Sequence, residues 1–214
     1  MSVVVKICGL NSIAAVEAAT ANGAHMVGFV FYPPSPRYVT PEAARALAAA
    51  VPSGIDRVGV FVDPDDAFVA QVLGKVSLDM LQLHGSETPE RVRAIRKKFG
   101  LPVIKAFKVS GLEDTARARD YDGIADWLMF DAPPVDKADA LPGGNGVVFD
   151  WRLLSGQGYR RPWILSGGLD AQNVTKAVRV SGASAIDVSS GVEDGPGRKN
   201  PDRIKAFLDV AMRL

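Results

Sequence analysis

The chain has 214 residues, 47% of them hydrophobic and 23% charged, with a formal net charge of +1. That length suits one large domain, and a near-neutral balance of scattered charges argues against nucleic acid or an anionic membrane surface as partner. One cysteine excludes an intrachain disulfide and points to a reducing cytoplasm, and two histidines beside it supply too few ligands for a zinc site.

The first predicted strand, Val3–Ile7, runs into Cys8-Gly9, and a helical pattern follows over Ser12–Ala21. No apolar run approaches the ~18 residues of a membrane span, and the opening strand does not show a charged region, apolar stretch and cleavage site in signal-peptide order. A strand is predicted at Met26–Val30 and a helix at Pro41–Ala50, then a strand at Arg57–Val62 and a helix at Pro64–Gly74. The alternation continues with strand Asp79–Leu83 and helix Pro89–Lys98, then strand Pro102–Ala106 and helix Glu113–Asp120. It ends with strand Asp126–Phe130 and a helical stretch at Asp150–Ser155, strand Pro162–Leu165 and helix Ala171–Val180, and strand Ala185–Val188 and helix Pro201–Met212. Thr40-Pro41, Asp63-Pro64, Thr88-Pro89 and Asn200-Pro201 read as helix starts, each with a side-chain acceptor followed by a preset φ.

Regular alternation of this kind implies right-handed βαβ units and a parallel sheet. About eight units close a (β/α)8 TIM barrel, so residues 1–214 are expected to form a single barrel catalytic domain. An open doubly wound sheet would carry a glycine-rich dinucleotide turn after its first strand, and Cys8-Gly9-Leu10-Asn11 is not one.

Polar residues recur at alternate positions along strands that should otherwise be wholly apolar. Lys6 and Cys8 share one face, Gln82 and His84 another, Asp131 lies opposite Phe130, and Asp187 and Ser189 oppose Ile186 and Val188. If the apolar partners pack on the helices, this polar set points into the barrel near its C-terminal mouth, where barrel enzymes keep their sites. Taken alone, Cys8 reads as a buried structural thiol. At the end of a strand beside a glycine, it is also a place to mount a catalytic group. On a closed sheet Asp187 is in reach of Lys6. Gln82 and His84 read equally as hydrogen-bonders of the mouth and as substrate contacts. Asp126, Asp150 and the tryptophans read as capping or packing residues.

Ser166-Gly167-Gly168-Leu169 follows the seventh strand and Ser189-Ser190-Gly191 the eighth. Glycine backbones admit a close anion, and barrels often bind phosphate between these two loops. Gly167, Gly168, Ser190 and Gly191 are therefore the candidate phosphate residues. Arg37 follows Pro33-Pro34-Ser35-Pro36, and its guanidinium fork suits a carboxylate. The stretch Ala132–Gly146 is long for a βα connection, where about 2–6 residues is usual. Its prolines and glycines suit a hinged lid that excludes water.

The ordered set Lys6-Ile7-Cys8-Gly9, Ser35-Pro36-Arg37-Tyr38, Leu81-Gln82-Leu83-His84-Gly85, Phe130-Asp131, Ser166-Gly167-Gly168 and Asp187-Val188-Ser189-Ser190-Gly191-Val192-Glu193 resembles the phosphoribosylanthranilate isomerase family of tryptophan biosynthesis. The resemblance spans the chain from first strand to last helix. Asn145 stands where family members usually carry threonine, and Asn200 where aspartate is common.

The resemblance implies an Amadori rearrangement of a phosphoribosylated anthranilate, without metal or redox cofactor, in the cytoplasm, by a monomer or homodimer. It implies Cys8 as general base, Asp131 as general acid and Arg37 as the partner of the anthranilate carboxylate. The remaining substrate-binding candidates are Gln82, His84, Lys6 and Asp187. The two protonation states need opposite help: Lys6 is placed to favour the thiolate, and burial to favour a protonated Asp131. The rivals are another sugar-phosphate barrel and a non-catalytic barrel that senses a phosphorylated metabolite. The related histidine-pathway isomerase would use two aspartates and no thiol.

Overall fold

In the computed structural model, which describes residues 3–133 and 148–214, eight parallel strands close into a barrel in chain order. They are β1 Val4–Cys8, β2 Met26–Val30, β3 Asp56–Phe61, β4 Met80–Leu83, β5 Val103–Lys108, β6 Trp127–Asp131, β7 Trp163–Leu165 and β8 Ala185–Val188. Around them lie α1 Ile13–Ala21, α2 Pro41–Ala49, α3 Asp66–Leu73, α4 Pro89–Phe99, α5 Leu112–Arg117, α6 Val174–Ser181 and α7 Pro201–Ala211. None of these described helices is long and apolar enough to cross a membrane. The expected lid falls mostly on 134–147, outside the described residues.

Closure is carried by β1, which pairs with β2 on one side and β8 on the other. Outward-facing Val5, Ile7, Phe29, Leu81, Phe130 and Ile186 are buried against the helices in the main core. Inward-facing Met26, Val58, Met80, Ile104, Met129, Ile164 and Ala185 form a separate apolar plug at the barrel floor. One layer higher, β4, β6, β7 and β8 turn polar, at Gln82, Asp131, Ser166 and Asp187.

The caps follow the sequence with one correction. Ser12, Thr40, Thr88 and Asn200 accept backbone N–H groups at the starts of α1, α2, α4 and α7. Asp63 does not cap α3; that helix starts at Asp66, with Asp65 accepting from the Phe68 amide. Asp63 adopts φ 44°, a left-handed conformation that aspartate tolerates better than most residues. From there its carboxylate takes the Ser86 amide and hydroxyl.

The stretch at Asp150–Ser155 is a single 3-10 turn, Trp151–Leu154, capped by Asp150. Gly156 and Gly158, both at positive φ, end it. The helix expected at Ala171 starts at Val174, because Asp170 first draws the Gln172 and Asn173 amides into a turn. After β8 the chain forms a small antiparallel hairpin, β9 Glu193–Gly195 and β10 Arg198–Lys199, that the sequence pattern does not foretell.

Candidate active site

Strand register builds the site. Lys6 of β1 is directly opposite Asp187 of β8, and Cys8 directly opposite Gly28 of β2. The Lys6 ammonium donates to Asp187 Oδ1 at 2.8 Å, and Ser166 Oγ donates to Asp187 Oδ2 at 3.0 Å. Gly28 makes this crowding possible: a Cβ there would stand 2.8 Å from Cys8 Sγ and 3.2 Å from Lys6 Nζ.

A single cavity at the C-terminal mouth is lined by Cys8, Arg37, Gln82, His84, Asp131, Asp187, Gly167, Gly168 and Ser190. Val30, Val60, Val62 and Tyr32 supply its apolar wall. Nine of the eleven residues singled out in the sequence thus face one space. Lys6, 1% exposed, lies beneath that surface with its charge on Asp187, and Gly191 is packed on the Leu169 carbonyl outside the lining. A wider cavity of about 600 Å³ adjoins it over β4 and β5, sharing Tyr32, Val62 and His84, and it contains neither Cys8 nor Asp131. The wider cavity has charged groups of its own, among them Glu87 and Lys105, but only the first brings Cys8, Arg37, Asp131 and Asp187 together.

Asp131 is 3% exposed, and its Oδ1 accepts the Ala132 amide at 2.9 Å. His84 Nε2 stands 3.2 Å from Asp131 Oδ2, close enough for an ion pair but without hydrogen-bond alignment. Gln82 Nε2 lies 3.0 Å from His84 Nδ1. With that amide donating, a neutral ring carries its proton on Nε2, the atom beside Asp131. Gln82 Oε1 and His84 Nε2 have no hydrogen-bond partner among the described residues. Buried polar atoms are normally satisfied, so two such atoms on a cavity wall mark a place for a polar ligand.

Burial pushes the Cys8 thiol above its ordinary range; Lys6 pulls it down and Asp187 pushes it up again. The net direction differs from the expected activation. Lys6 favours the thiolate as foreseen, but its charge is largely matched by Asp187, and loss of hydration outweighs the remainder. Burial works against the Lys6 charge as well, yet Asp187 and Cys8 together hold the ammonium above its usual range.

Arg37 is 5% exposed and forms a bidentate pair with Glu193, Nε to Oε1 and Nη2 to Oε2, each 2.8 Å. Gly9, at φ 75°, lets it cross the end of β1, since a Cβ there would come within 2.7 Å of Arg37 Cδ. Glu193 Oε1 also accepts from Lys199 Nζ at 2.7 Å. Two cations and the Arg37 hydrogen bonds hold the Glu193 carboxyl below its usual range despite burial.

The loops after β7 and β8 are pressed together. A Cβ on Gly191 would fall on the Leu169 carbonyl, and one on Gly167 would stand 2.4 Å from the Ala132 amide nitrogen. Only glycine permits that approach.

Sequence reasoning left out Gly28, Glu193, Lys199 and Ser166. Glu193 ends a quoted motif and Gly28 lies within the second predicted strand, but their roles depend on partners 156 and 20 residues away, Arg37 and Cys8. Lys199, in the run Arg198-Lys199-Asn200, reads as a solvated charge beside a helix cap. Its side chain is fully buried. Asp126 and Asp150 do serve as structural residues, the first binding Arg96 and the Val103 amide. Trp163 packs edge-on against Phe130.

A family model described as N-(5'-phosphoribosyl)anthranilate (PRA) isomerase matches residues 5–210. The chain is 55% identical over 214 residues to the N-(5'-phosphoribosyl)anthranilate isomerase of Rhodospirillum centenum, covering all of both chains. It is 54% identical over 211 residues to that of Paramagnetospirillum magneticum, covering 99% of this chain and 98% of the relative. Among solved structures, phosphoribosyl anthranilate isomerase from Thermotoga maritima aligns with a TM-score of 0.89 at 40% identity, covering 99% of this chain and 100% of that one. A phosphoribosyl anthranilate isomerase in complex with reduced 1-(o-carboxyphenylamino)-1-deoxyribulose 5-phosphate aligns with a TM-score of 0.84 at 39% identity, again over 99% and 100%.

Proposed function

Because the chain belongs to the N-(5'-phosphoribosyl)anthranilate isomerase family, we propose that Cys8 and Asp131 divide the base and acid work of its reaction across one cavity. The reaction is the Amadori rearrangement of N-(5'-phosphoribosyl)anthranilate to 1-(2-carboxyphenylamino)-1-deoxyribulose 5-phosphate, a step of tryptophan biosynthesis. Asp131 protonates the ribose ring oxygen, the C1'–O bond breaks, and the anthranilate nitrogen lone pair forms the iminium. Cys8, as thiolate, removes the proton from C2'. The resulting enol amine takes a proton at C1' from the Cys8 thiol and gives its 2'-hydroxyl proton to the Asp131 carboxylate, which yields the ketone and restores both groups. Each positioned acid or base contributes about 10²–10⁴-fold.

The observation that carries this assignment is the convergence of Cys8 and Asp131, from β1 and β6, on the same cavity. Burial that keeps the thiol protonated in the free protein means that the thiolate forms at a cost. Once formed, it is a stronger base for the C2' proton. Arg37 and the apolar wall of Val30, Val60 and Tyr32 suit a benzoate ring with its carboxylate. At the other side, Gly167, Gly168, Ser190 and Gly191 supply backbone amides for the phosphate. Gln82, His84 and Asp187 are left for the ribose hydroxyls, with Lys6 holding Asp187 in place. On this reading residues 1–214 work as one catalytic domain on a small phosphorylated substrate. Cytoplasmic placement and a monomeric or homodimeric state belong to the same proposal.

The test is Cys8→Ser, followed by the fluorescence loss of N-(5'-phosphoribosyl)anthranilate. Turnover is expected to fall by about 10³-fold, while affinity for the reduced product analogue changes little. Full activity in that variant removes Cys8 from the mechanism.

A further inference from the structure

The β9–β10 hairpin places a buried lysine where no contact with substrate is available. The Lys199 side chain is completely buried and does not line the cavity. Its ammonium donates to the Ser189 carbonyl at 2.8 Å, to Ser189 Oγ at 3.1 Å and to Glu193 Oε1 at 2.7 Å. Ser189 Oγ in turn donates to the Cys8 carbonyl at 3.2 Å. Glu193 Oε1 is the same oxygen that accepts Arg37 Nε. One ammonium therefore touches both the chain of bonds ending at Cys8 and the carboxylate that aims Arg37.

We propose that Lys199 is a positioning residue for the rearrangement, fixing Cys8 and Arg37 relative to each other and lending its charge to the Cys8 thiolate. The proposal rests on the reading of Cys8 as the base. Two features give it physical content. Glu193 is shared with Arg37, so it neutralises Lys199 only in part, and the unspent field is felt in a medium of low dielectric. Secondly, a buried ammonium with three acceptors has little freedom, so it transmits position as well as charge.

The groups facing Cys8 are Lys6 from its own strand, Asp187 from β8, Lys199 from the hairpin, Arg37 from the loop after β2, and His84 and Asp131 across the cavity. Lys6 and Asp187 form a matched pair. Lys199, beyond that pair, also lowers the thiol, and Cys8 in return supports the charge of Lys199 against its burial.

Cys8 is the only cysteine in the chain, so its alkylation by iodoacetamide reports one site, and only the thiolate reacts. Alkylation rate against pH is measured for the unmodified protein, Lys199→Met and Glu193→Gln, each checked for a cooperative melt. The expected result is a midpoint raised by about one pH unit in Lys199→Met, with kcat near neutrality down about three- to tenfold, because the tenfold smaller thiolate fraction is offset in part by the stronger base. Glu193→Gln is expected to move the midpoint the other way, since it removes the anion that partly masks Lys199, and to raise KM by loosening Arg37.

A purely structural hairpin would shift neither midpoint, or both in one direction, and either outcome overturns the proposal. If Lys199→Met does not fold, Glu193→Gln decides alone: a lowered midpoint supports the proposal and an unmoved or raised one overturns it. The alkylation profile does not depend on catalysis. Failure of Cys8 as base would appear instead as retained turnover in Cys8→Ser.

Discussion

At the barrel floor the strands present Met80, Met129, Ile164 and Ala185 to one another, all buried and apolar. Two residues further along the same strands come Gln82, Asp131, Ser166 and Asp187, equally buried and all polar. The step between the layers is about 7 Å along each strand. Floor residues fill space, and their contribution is burial. The polar layer does the reverse: it keeps a buried ion pair and two polar atoms, Gln82 Oε1 and His84 Nε2, that have no hydrogen-bond partner among the described residues, and such atoms cost stability unless a ligand completes them. A closed barrel tolerates the second layer because the first one, with the helices outside, carries the fold.

That division gives a sharp set of expectations. Asp131→Asn in the polar layer should lower kcat by about 10³-fold, the middle of the range for a lost general acid, with little change in melting temperature. A kcat within tenfold of the unmodified protein would move the acid elsewhere. Ile104→Ala on the floor should do the opposite, destabilising by about 2–5 kcal/mol as a core cavity does, while kcat measured well below the melt stays within a factor of two or three. Chemical denaturation and steady-state kinetics on the same samples check both, and a large kcat loss in the floor variant would show that the layers are coupled.

Gly28→Ala tests the boundary. The added methyl would meet Cys8 Sγ at 2.8 Å, and displacement of a reacting atom by roughly an ångström costs about 10²-fold. Turnover should fall by that order while Ser or Asn substitutions remote from the cavity leave it alone. The smallest effect belongs to the floor's outer rim, where the Asp126 carboxylate binds Arg96 and the Val103 amide. Burial opposes its charge, but Arg96 and the amide prevail and hold its pKa below 3.8. The unfolded chain therefore takes up that proton first, and the stabilisation present above pH 4 is lost as pH falls through the lowered value. Asp126→Asn should flatten the acid side of the melting-temperature profile, by under about 1 kcal/mol for so exposed a pair, and leave the pH dependence of kcat unchanged.

Much of this was readable in the chain because two local rules hold. Period-two alternation put Lys6, Cys8, Gln82, His84, Asp131, Asp187 and Ser189 on inward faces, and that is where they lie. Proline after a capping side chain marked three helix starts correctly. The rules fail where a distant partner decides. Lys105 sits between Val103 and Phe107 on the outward face of β5, yet it is 2% exposed because Glu87, in the loop after β4, folds over it and binds its ammonium at 2.7 Å. Asp63 misses its expected cap because Ser86, 23 residues on, claims its carboxylate. The β9–β10 hairpin is too short to leave a periodic signature, and so Glu193 and Lys199 stay hidden in the sequence although both brace the mouth.

The contact of Gly191 with the Leu169 carbonyl has a thermodynamic corollary. Two loops wedged this tightly share one arrangement whether or not an anion is present, so the freedom that a slack loop surrenders on capture has already gone when the chain folds. On the proposed reading, a phosphate captured there meets a rigid socket. Calorimetry with inorganic phosphate should then show a small entropic penalty, and enlarging Gly191 by one methyl should weaken capture chiefly by wedging the socket apart.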